Sequence, residues 1–548
     1  MFARIKKSGR YQYVQLVENR KEQGKVKQRV VATLGRLDEL HAKGRIETLV
    51  RSLARFSEKT LLVLSGTIDA DVTAVRIGPA LIFERIWQEL GIPQIIEELL
   101  SRRKFEFNVE RTIFLTVLHR LCSSGSDRNA DRWRRDYAID GVEDIALHHV
   151  YRAMAFLGEE LGDQGDASAL APRCTKDLIE EGLFHQHRTL FTGLDLVFFD
   201  TTSIYFEGEG GKTLGQFGHS KDHRSDRKQM VVGAILDDRG RPICCELWPG
   251  NTADVKSLVP VVDRLRRRFG IQRFCIVADR GMVSADTIAV LESEDYGIPY
   301  ILGARMRRVK EVSQTVLSRP GRYHDVFPAT TQVRGPSPLA VKEVFIDGRR
   351  FIVCRNEKQA RKDAAAREAM VNALEERLRS NPKGLVGNRG YARFLKVARN
   401  GMVIDRKKID AETRFDGKWV LRTNMNELSA ARVAIKYKEL WQVEQVFRDV
   451  KSVLDTRPIF HKCDETIRGH VFCSFLALVL RKELDRRLEQ AGMQGEWSDI
   501  VRDLKALQLV TIEEDDRSLQ VRTAAVGCCG SVFQAVGVAL PPTIRDVV

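Results

Sequence analysis

The segment from Leu196 to Tyr205, LVFFDTTSIY, places one carboxylate inside a run of apolar and hydroxyl side chains. Four consecutive apolar residues bounded by polar ones are typical of a strand covered on both faces, and threonine also favours strands. A carboxylate buried there costs several kcal/mol unless a cation or hydrogen bonds compensate it. Taken alone, Asp200 is most simply a structural aspartate bonded to nearby backbone, so the rest of the chain has to decide.

The pattern after this strand predicts a compact series of elements. The segments QMVVGAIL and RPICCELWPGN flank the turn DDRG and predict an antiparallel meander with LVFFD. Apolar residues at spacings of three and four in DVKSLVPVVDRLRRRFG predict a helix that ends at Gly270. A buried strand, RFCIVADRG, then ends at Asp279, and SADTIAVLESEDYG and IPYILGA add a helix and a strand. The predicted order is three strands, helix, strand, helix, strand.

This order predicts that two carboxylates meet. A right-handed helical crossover places the first and fourth strands side by side and parallel. Asp200 and Asp279 would then be neighbours at the ends of two similar apolar strands. Two unpaired carboxylates a few ångströms apart repel each other, so a shared divalent cation is the natural reason for the arrangement.

A third carboxylate is expected on the segment ARVAIKYKELWQVEQVFRDVKSVL, which predicts one continuous helix. Its edge carries Tyr437, Glu444, Arg448 and Lys451, so Glu444 lies between core and solvent. The alternative is an ordinary surface acid paired with Arg448 one turn later. The apolar stripe of this helix consists of Val433, Leu440, Val443, Phe447, Val450 and Leu454.

The regions outside these elements have their own patterns. The first forty residues predict a β-hairpin of YQYVQLVE and KVKQRVVATLG, and the pattern is helical from Ile46 to about His187. Within it, RTIFLTVLHRLCSSGSDRNADRWRR fits a helix-turn-helix or, more simply, two ordinary packed helices. Between Met306 and Glu427, short apolar runs flank the charged helical segment EKQARKDAAAREAMVNALEERLRS, and NPKGLVGNRGY is interpreted as a mobile turn or linker.

Charge and composition narrow the choice of partner. The 548 residues are 43% hydrophobic and carry a formal charge of +15, which favours nucleic acid first and an anionic membrane surface second. Residues 1–60 hold 15 Lys and Arg against 6 Asp and Glu, a concentration compatible with DNA contact or with a merely solvated face. The N-terminus is unlike a signal peptide, and the longest apolar run, VFCSFLALVL, is too short to span a bilayer. The ten cysteines form no C-x-x-C pair, so we expect no zinc site, no disulfide framework and a cytosolic location.

Together these motifs resemble a known family, the DDE transposases of bacterial insertion sequences. Asp200 in VFFDTTSIYF, Asp279 in VADRGM and Glu444 in YKELWQVEQVFRDVKS are similar to its three acids. Tyr437, Glu444 and Lys451 match its tyrosine-arginine-glutamate-lysine signature, whose arginine position is Leu440 here. GHSKDHRSDRKQ, GNTADVKSL and VVATLGRLDEL resemble the IS1634 type within the IS-four superfamily.

The resemblance implies an α/β fold with an RNase H-like catalytic core and a β-rich insertion before Glu444. The expected division is a basic β-hairpin region at 1–45, a helical DNA-binding region at 46–190, the core at 191–305 and 428–490, the insertion at 306–427 and a C-terminal region at 491–548.

The resemblance also implies a function. Asp200, Asp279 and Glu444 would hold two Mg²⁺ ions, for which Mn²⁺ can substitute, and the protein would cut double-stranded DNA at terminal inverted repeats and join the 3′ ends to target DNA. It would act as a homodimer on DNA, in the cytoplasm with the nucleoid and without a membrane partner. Tyr437, Arg448 and Lys451 are expected to contact DNA, and Trp419 to hold a flipped base or simply to pack in its strand. The alternatives are a nuclease without strand transfer, a non-catalytic DNA-binding protein and an inactive remnant.

Overall fold

The computed structural model describes residues 2–22, 25–42, 71–165, 167, 171–187, 196–327, 337–380, 394–398, 401–454, 456–514 and 517–547. The start of the predicted helical region, residues 46–70, and the predicted linker NPKGLVGNRGY lie outside the described residues. The chain forms two compact units. The first draws on Met1–Arg85, Arg132–Ile139 and Arg487–Val548, and the second on Ile86–Asp131 and Asp140–Arg486.

The described strands are numbered in chain order. They are β1 (Phe2–Ser8), β2 (Tyr11–Glu22), β3 (Lys25–Arg36), β4 (Asp71–Arg76), β5 (Leu196–Tyr205), β6 (Gln229–Asp237), β7 (Pro242–Pro249), β8 (Cys275–Ala278), β9 (Tyr300–Gly303), β10 (His324–Phe327), β11 (Leu339–Ile346), β12 (Arg349–Arg355), β13 (Leu395–Ala398), β14 (Gly401–Ile404), β15 (Lys418–Thr423), β16 (Gln508–Glu514), β17 (Arg517–Arg522) and β18 (Ile544–Val547).

The described α-helices are numbered in the same way. They are α1 (Leu37–Ala42), α2 (Gly78–Glu89), α3 (Ile92–Leu100), α4 (Val109–Cys122), α5 (Asp127–Trp133), α6 (Leu147–Gly158), α7 (Thr175–Gln186), α8 (Leu258–Arg267), α9 (Ala285–Glu292), α10 (Glu357–Ser380), α11 (Arg406–Glu412), α12 (Ala430–Lys438), α13 (Trp441–Arg448), α14 (Asp464–Gln490), α15 (Trp497–Lys505) and α16 (Cys529–Val536).

The first unit contains two antiparallel sheets. The predicted hairpin is confirmed as β2 and β3, and β1 pairs with β2 to make a third strand. The second sheet has the order β18-β17-β16-β4, in which Arg76 pairs with Gln508. The prediction of helix throughout the region after Ile46 is therefore wrong at β4, where DVTAVR, which is rich in β-branched residues, pairs with β16 more than 400 residues away in sequence.

The second unit is built on a nine-stranded mixed sheet of order β10-β11-β12-β15-β9-β8-β5-β6-β7. Strand β5 pairs antiparallel with β6 and parallel with β8, and β8 pairs parallel with β9. The chain passes from β7 to β8 through α8 and from β8 to β9 through α9. This is the predicted order of elements, and it fits an RNase H-like core.

The predicted insertion extends this same sheet. Strand β15 pairs antiparallel with β9, and β12, β11 and β10 follow outward in turn. The charged helix is present as α10, next to the small hairpin of β13 and β14. The insertion strands thus continue the hydrogen-bond ladder of the core beyond β9.

Burial accounts for the apolar runs of the central strands. Leu196 to Phe199 and all of β6 are buried. One sheet face packs Val197 and Phe199 against Leu258 and Val262 of α8, and α13 packs against β5 and β6. Strand β5 therefore lies in the middle of a layered helix and sheet core.

The structure decides between the two interpretations of one helical segment and corrects the prediction for another. The segment RTIFLTVLHRLCSSGSDRNADRWRR forms α4 and α5, and α4 is buried along its whole length, as expected of ordinary packed helices. The predicted continuous helix around Glu444 is wrong, because it is divided into α12 and α13. At the junction Leu440 donates to the carbonyl of Tyr437 and Val443 to that of Leu440, a tighter 3₁₀ pattern.

None of the helices in the described part of the chain contains a stretch that is long and apolar enough to cross a membrane.

Candidate active site

The sheet brings Asp200 and Asp279 together. Phe199 of β5 pairs with Ala278 of β8 in the parallel ladder, and the two aspartates are the residues that follow this pair in the chain. Asp279 lies where β8 ends, and it precedes a 3₁₀ turn at Arg280–Met282. The prediction that these two strands lie side by side and bring the aspartates together is confirmed, but Asp200 lies inside β5, which continues to Tyr205, and only Asp279 lies at a strand end.

Asp200 is a mostly buried carboxylate with a raised pKa. The pKa of Asp200 is raised to about 6, chiefly by burial and also by the charges of Asp279 and Asp254, whereas Lys221 and the backbone N–H of Thr201 oppose this rise. That N–H donates to Asp200 Oδ1 at 2.7 Å. The carboxylate is therefore only partly compensated by the groups around it.

The site includes two residues, Lys221 and Asp254, to which the sequence interpretation gave no role. Lys221 Nζ donates to the Thr201 carbonyl at 2.7 Å and lies 3.2 Å from Asp254 Oδ2 and 4.0 Å from Asp200 Oδ1. The Thr201 hydroxyl donates to Asp254 Oδ1 at 2.7 Å. Both residues belong to segments already singled out, GHSKDHRSDRKQ and GNTADVKSL, but the sequence does not show that these loops fold onto β5.

Tyr437 of α12 contacts the second aspartate. Its hydroxyl donates to Asp279 Oδ1 at 2.9 Å. Burial, and then the charge of Asp279, raise the pKa of Tyr437 well above its usual range, so the hydroxyl remains a donor. A side chain at Gly303 would lie 2.6 Å from the tyrosine oxygen, so only glycine leaves room for this contact. The predicted DNA contact of Tyr437 stays a prediction.

Lys451 forms an ion pair within the chain. Its Nζ lies 2.8 Å from Asp222 Oδ1, and Arg457 Nη1 lies 2.6 Å from Asp222 Oδ2. Burial lowers the pKa of Lys451, and Asp222 opposes this effect. Because Asp222 directly follows Lys221, this pair lies beside the aspartate site, and a phosphate contact by Lys451 stays a prediction.

Glu444 lies on the exposed face of α13, together with Arg448 and Trp441. The helix packs against β5 and β6, the strand of Asp200 and its neighbour. Within the described ranges, however, Asp200, Asp279 and Glu444 do not form a compact set with ligand atoms within 4.8 Å of one another. The role of Glu444 as third acid therefore stays a prediction.

Trp419 is half-buried in the interior of β15, where it pairs with Cys354 of β12. Its indole N–H is buried and has no hydrogen-bond partner among the described residues. It is not among the residues that line the cavity beside Asp279. Its predicted contact with a flipped base stays a prediction.

A cavity of about 790 Å³ opens beside Asp279 and Asp254. Four arginines line it. One of them, Arg305, also supports the cavity wall, because its side chain donates hydrogen bonds to the carbonyls of Arg280 and Gly281 at 2.9 and 2.8 Å. Asp279 thus faces a basic cavity that suits a phosphate backbone. The four arginines are Arg280, Arg305, Arg307 and Arg308.

A second cluster of metal-ligating side chains lies elsewhere in the same unit. Asp127 Oδ2 is 3.0 Å from His461 Nε2, which is 3.1 Å from His470 Nδ1. Arg120 Nη2 lies 3.0 Å from that Nδ1 and 3.2 Å from Asp127 Oδ1. The buried guanidinium already neutralises Asp127, so this cluster is satisfied as a polar network. Its members are far apart in sequence, and no local pattern predicts it.

Comparison with known proteins gives two family matches. The model described as "IS1634 family transposase, N-terminal domain" matches residues 3–66, and that described as "Transposase DDE domain" matches residues 192–480. No curated protein matches the chain. Among solved structures, the chain is similar to the cryo-EM structure of a piggyBac transposase synaptic complex with hairpin DNA, with a TM-score of 0.36 and 11% identity over 78% of this chain and 79% of that one. The second family match contains Asp200, Asp279 and Glu444.

Proposed function

The chain belongs to the DDE transposases of the IS1634 type, and on that premise we propose that it binds the terminal inverted repeats of its own element, cleaves the DNA there by metal-dependent hydrolysis and joins the 3′ ends to target DNA. The observation that carries this proposal is the parallel register of β5 and β8, which brings Asp200 and Asp279 together beside a cavity lined with arginines.

The residues present fit a hard divalent cation. Carboxylate oxygens are the ligands that Mg²⁺ and Mn²⁺ prefer, and the charge of Asp279 contributes, after burial, to the raised pKa of Asp200, as expected of two carboxylates close together. Asp200 and Asp279 would hold the metal, with Glu444 as the proposed third ligand. When bound, two Mg²⁺ ions would activate the attacking oxygen and stabilise the leaving oxygen.

The protein groups of the site orient the reactants. Tyr437 holds the Asp279 carboxylate by its hydrogen bond, and the cavity arginines would bind the phosphates on either side of the scissile bond. Water attacks first and releases a 3′-hydroxyl, which then attacks target DNA in line. Neither step forms a covalent bond between protein and DNA, so no serine or tyrosine nucleophile is required.

Contacts along the DNA are assigned to Arg448, Lys451 and Trp419. Arg448 is exposed on the same face of α13 as Glu444, which suits a phosphate contact. Lys451 would reach a phosphate by exchanging its partner Asp222. If Trp419 stacks on a flipped base during second-strand cleavage, Trp419→Ala leaves nicked DNA, whereas a packing role leaves the ratio of nicked to fully cut DNA unchanged.

Recognition of the inverted repeats is assigned to the basic N-terminal region and the helical region that follows it. Lys6, Lys7 and Arg10 are exposed on and beside β1. Replacing all three by Gln should weaken end binding and lower the slope of log K against log salt by about 0.9 for each phosphate that the variant no longer neutralises. A matched triple replacement on the charged helix α10, at Lys358, Arg361 and Lys362, serves as the control. An unchanged slope in the first variant would move recognition into the helical region.

The reaction itself is tested with labelled element ends and target plasmid in Mg²⁺. Wild-type protein should yield both cleaved ends and joined products, whereas Asp200→Asn and Asp279→Asn should bind the ends and yield neither. The exposed Asp286→Asn should behave as wild type. Cleavage without joined products would indicate a nuclease, and binding without cleavage by wild type would indicate a DNA-binding protein. Light scattering of the DNA complex tests the proposed homodimer, and imaging of a tagged protein tests the proposed location in the cytoplasm at the nucleoid.

A further inference from the structure

The ammonium group of Lys221 sits in a set of oxygen atoms. Its Nζ lies 2.7 Å from the Thr201 carbonyl and 2.9 Å from the Thr201 hydroxyl. Asp254 Oδ2 lies 3.2 Å away and Asp200 Oδ1 4.0 Å away. An all-oxygen set that includes two carboxylates, closed around a single positive charge, is also the environment that a hard divalent cation prefers.

Asp254 is held between the two strands that carry the aspartate pair. On one side the hydroxyl of Thr201, the neighbour of Asp200, donates to its Oδ1. On the other side the 3₁₀ turn that begins at Asp254 packs against the turn that follows Asp279. A Cβ atom at Gly281 would lie 3.5 Å from Asp254 Oδ2. The carboxylate therefore points to the region where Asp200 and Asp279 meet.

Three carboxylates converge next to the Lys221 ammonium, whereas the cavity arginines lie along the adjoining wall. Asp200, Asp254 and Asp279 supply the three carboxylates, and the Lys221 ammonium lies 3.2 Å from that of Asp254 and 4.0 Å from that of Asp200. The neighbouring cations Lys451 and Arg457 are already paired with Asp222. Lys221 is one-third exposed and lines the cavity, so its flexible stem has room to withdraw.

We propose that Asp254 is a further ligand of the divalent cation, beside Asp200 and Asp279, and that the Lys221 ammonium occupies this position until the cation binds. This inference rests on the proposed function, because it assigns a residue to the same cation site. It adds to the three acids of the family pattern a fourth carboxylate that lies in direct contact with the Asp200 strand. Cation binding and withdrawal of Lys221 would then be one event.

The test measures binding of Mn²⁺ alone to the full-length, DNA-free protein, by the loss of the free-ion signal in electron paramagnetic resonance. Asp254→Asn should weaken binding by about tenfold or more, since even residues that only support a ligand cost that much. Lys221→Met should tighten binding, because it removes the competing cation. Asp254→Glu, which keeps the carboxylate, should bind better than Asp254→Asn, and Asp286→Asn should match wild type.

Three results separate this inference from its rivals. If Asp254→Asn binds as wild type does while Asp200→Asn loses binding, Asp254 is no ligand and the proposed function stands. If Asp254→Asn and Lys221→Met weaken binding equally, Asp254 only positions the lysine and the inference is overturned. If Asp200→Asn also binds as wild type does, the cation site of the proposed function itself fails. Should Asp254→Asn not fold, Lys221→Met still tests whether the ammonium competes with the cation, and unchanged or weaker binding by that variant would overturn the inference.

Discussion

Two parts of the candidate site are held by different physical means. Asp200 lies within β5 and Asp279 directly follows β8, and because these two strands pair in parallel, backbone hydrogen bonds determine their separation. Tyr437, Glu444 and Lys451 lie on a helical segment that passes through α12, a 3₁₀ junction, α13 and a π turn at Asp449–Val453. A strand pair tolerates little adjustment, whereas each change of helical pitch rotates every later side chain. The sheet-borne acids are thus positioned before any ligand binds, and the helix-borne groups depend on local packing.

The largest expected effect tests whether Glu444 joins the sheet-borne pair. Glu444→Gln should lower the cleavage rate as strongly as Asp200→Asn, by roughly two orders of magnitude or more, because a ligand of the reacting centre is lost. Glu439→Gln, at the helix junction, should change the rate little. The measurement is single-turnover cleavage of labelled ends in Mg²⁺. If Glu444→Gln cleaves DNA as fast as Glu439→Gln does, Glu444 is not a catalytic acid. The acids of the site would then be those held by the sheet and its turns.

The next effect concerns stability and follows from the burial of Asp200. Since its pKa is raised from 3.8 to about 6, the folded chain binds this proton more tightly than the unfolded chain does. Below about pH 4 the Asp200 carboxyl therefore does not lower the free energy of unfolding. As the pH rises through 6, the ionised carboxylate lowers that free energy by about 3 kcal/mol. In EDTA at pH 7.5, Asp200→Asn should unfold at a higher temperature than wild type, and this difference should shrink as the pH falls towards 4.

Thermal unfolding of Asp286→Asn gives the comparison for that experiment, since this aspartate is exposed. A stabilisation of Asp200→Asn that is equal at pH 4 and pH 7.5 would contradict the electrostatic explanation. A loss of stability at both values would show that the Thr201 N–H and Lys221 compensate the carboxylate fully. The expected result would show that the ionised Asp200 carboxylate destabilises the folded chain, although the proposed reaction requires it.

The smallest effect measures how firmly the helix-borne tyrosine supports the sheet-borne aspartate. Tyr437→Phe removes the hydrogen bond to Asp279, and cleavage should fall by about tenfold, as expected for a residue that orients a ligand. Tyr296→Phe is the matched control, because its hydroxyl donates to Asp263 at 2.7 Å on another part of the fold. Single-turnover rates over a series of Mg²⁺ concentrations compare the two variants. Equal rates for both would mean that the sheet alone orients Asp279.

Local patterns in the sequence were enough to predict the centre of the fold. The apolar runs ending at Asp200 and Asp279, the amphipathic crossover helix and the handedness of crossovers together predict the parallel pair, and the structure has it. The apolar stripe around Glu444 is also buried as predicted, from Val433 to Leu454. These features depend on residues close in sequence, whose spacing directly reflects strand and helix periods.

Contacts between segments that are distant in the chain were decided by the tertiary structure alone. The pairing of β4 with β16, the addition of the insertion strands to β9 and the packing of the Asp254 turn beside Asp279 join segments distant in the chain. Pairing partners of strands leave no local periodic signal, and a loop such as that of Lys221 has no period at all. The 3₁₀ junction at Leu440 follows from how α12 and α13 pack on the sheet, because the apolar spacing of that segment fits a continuous helix equally well.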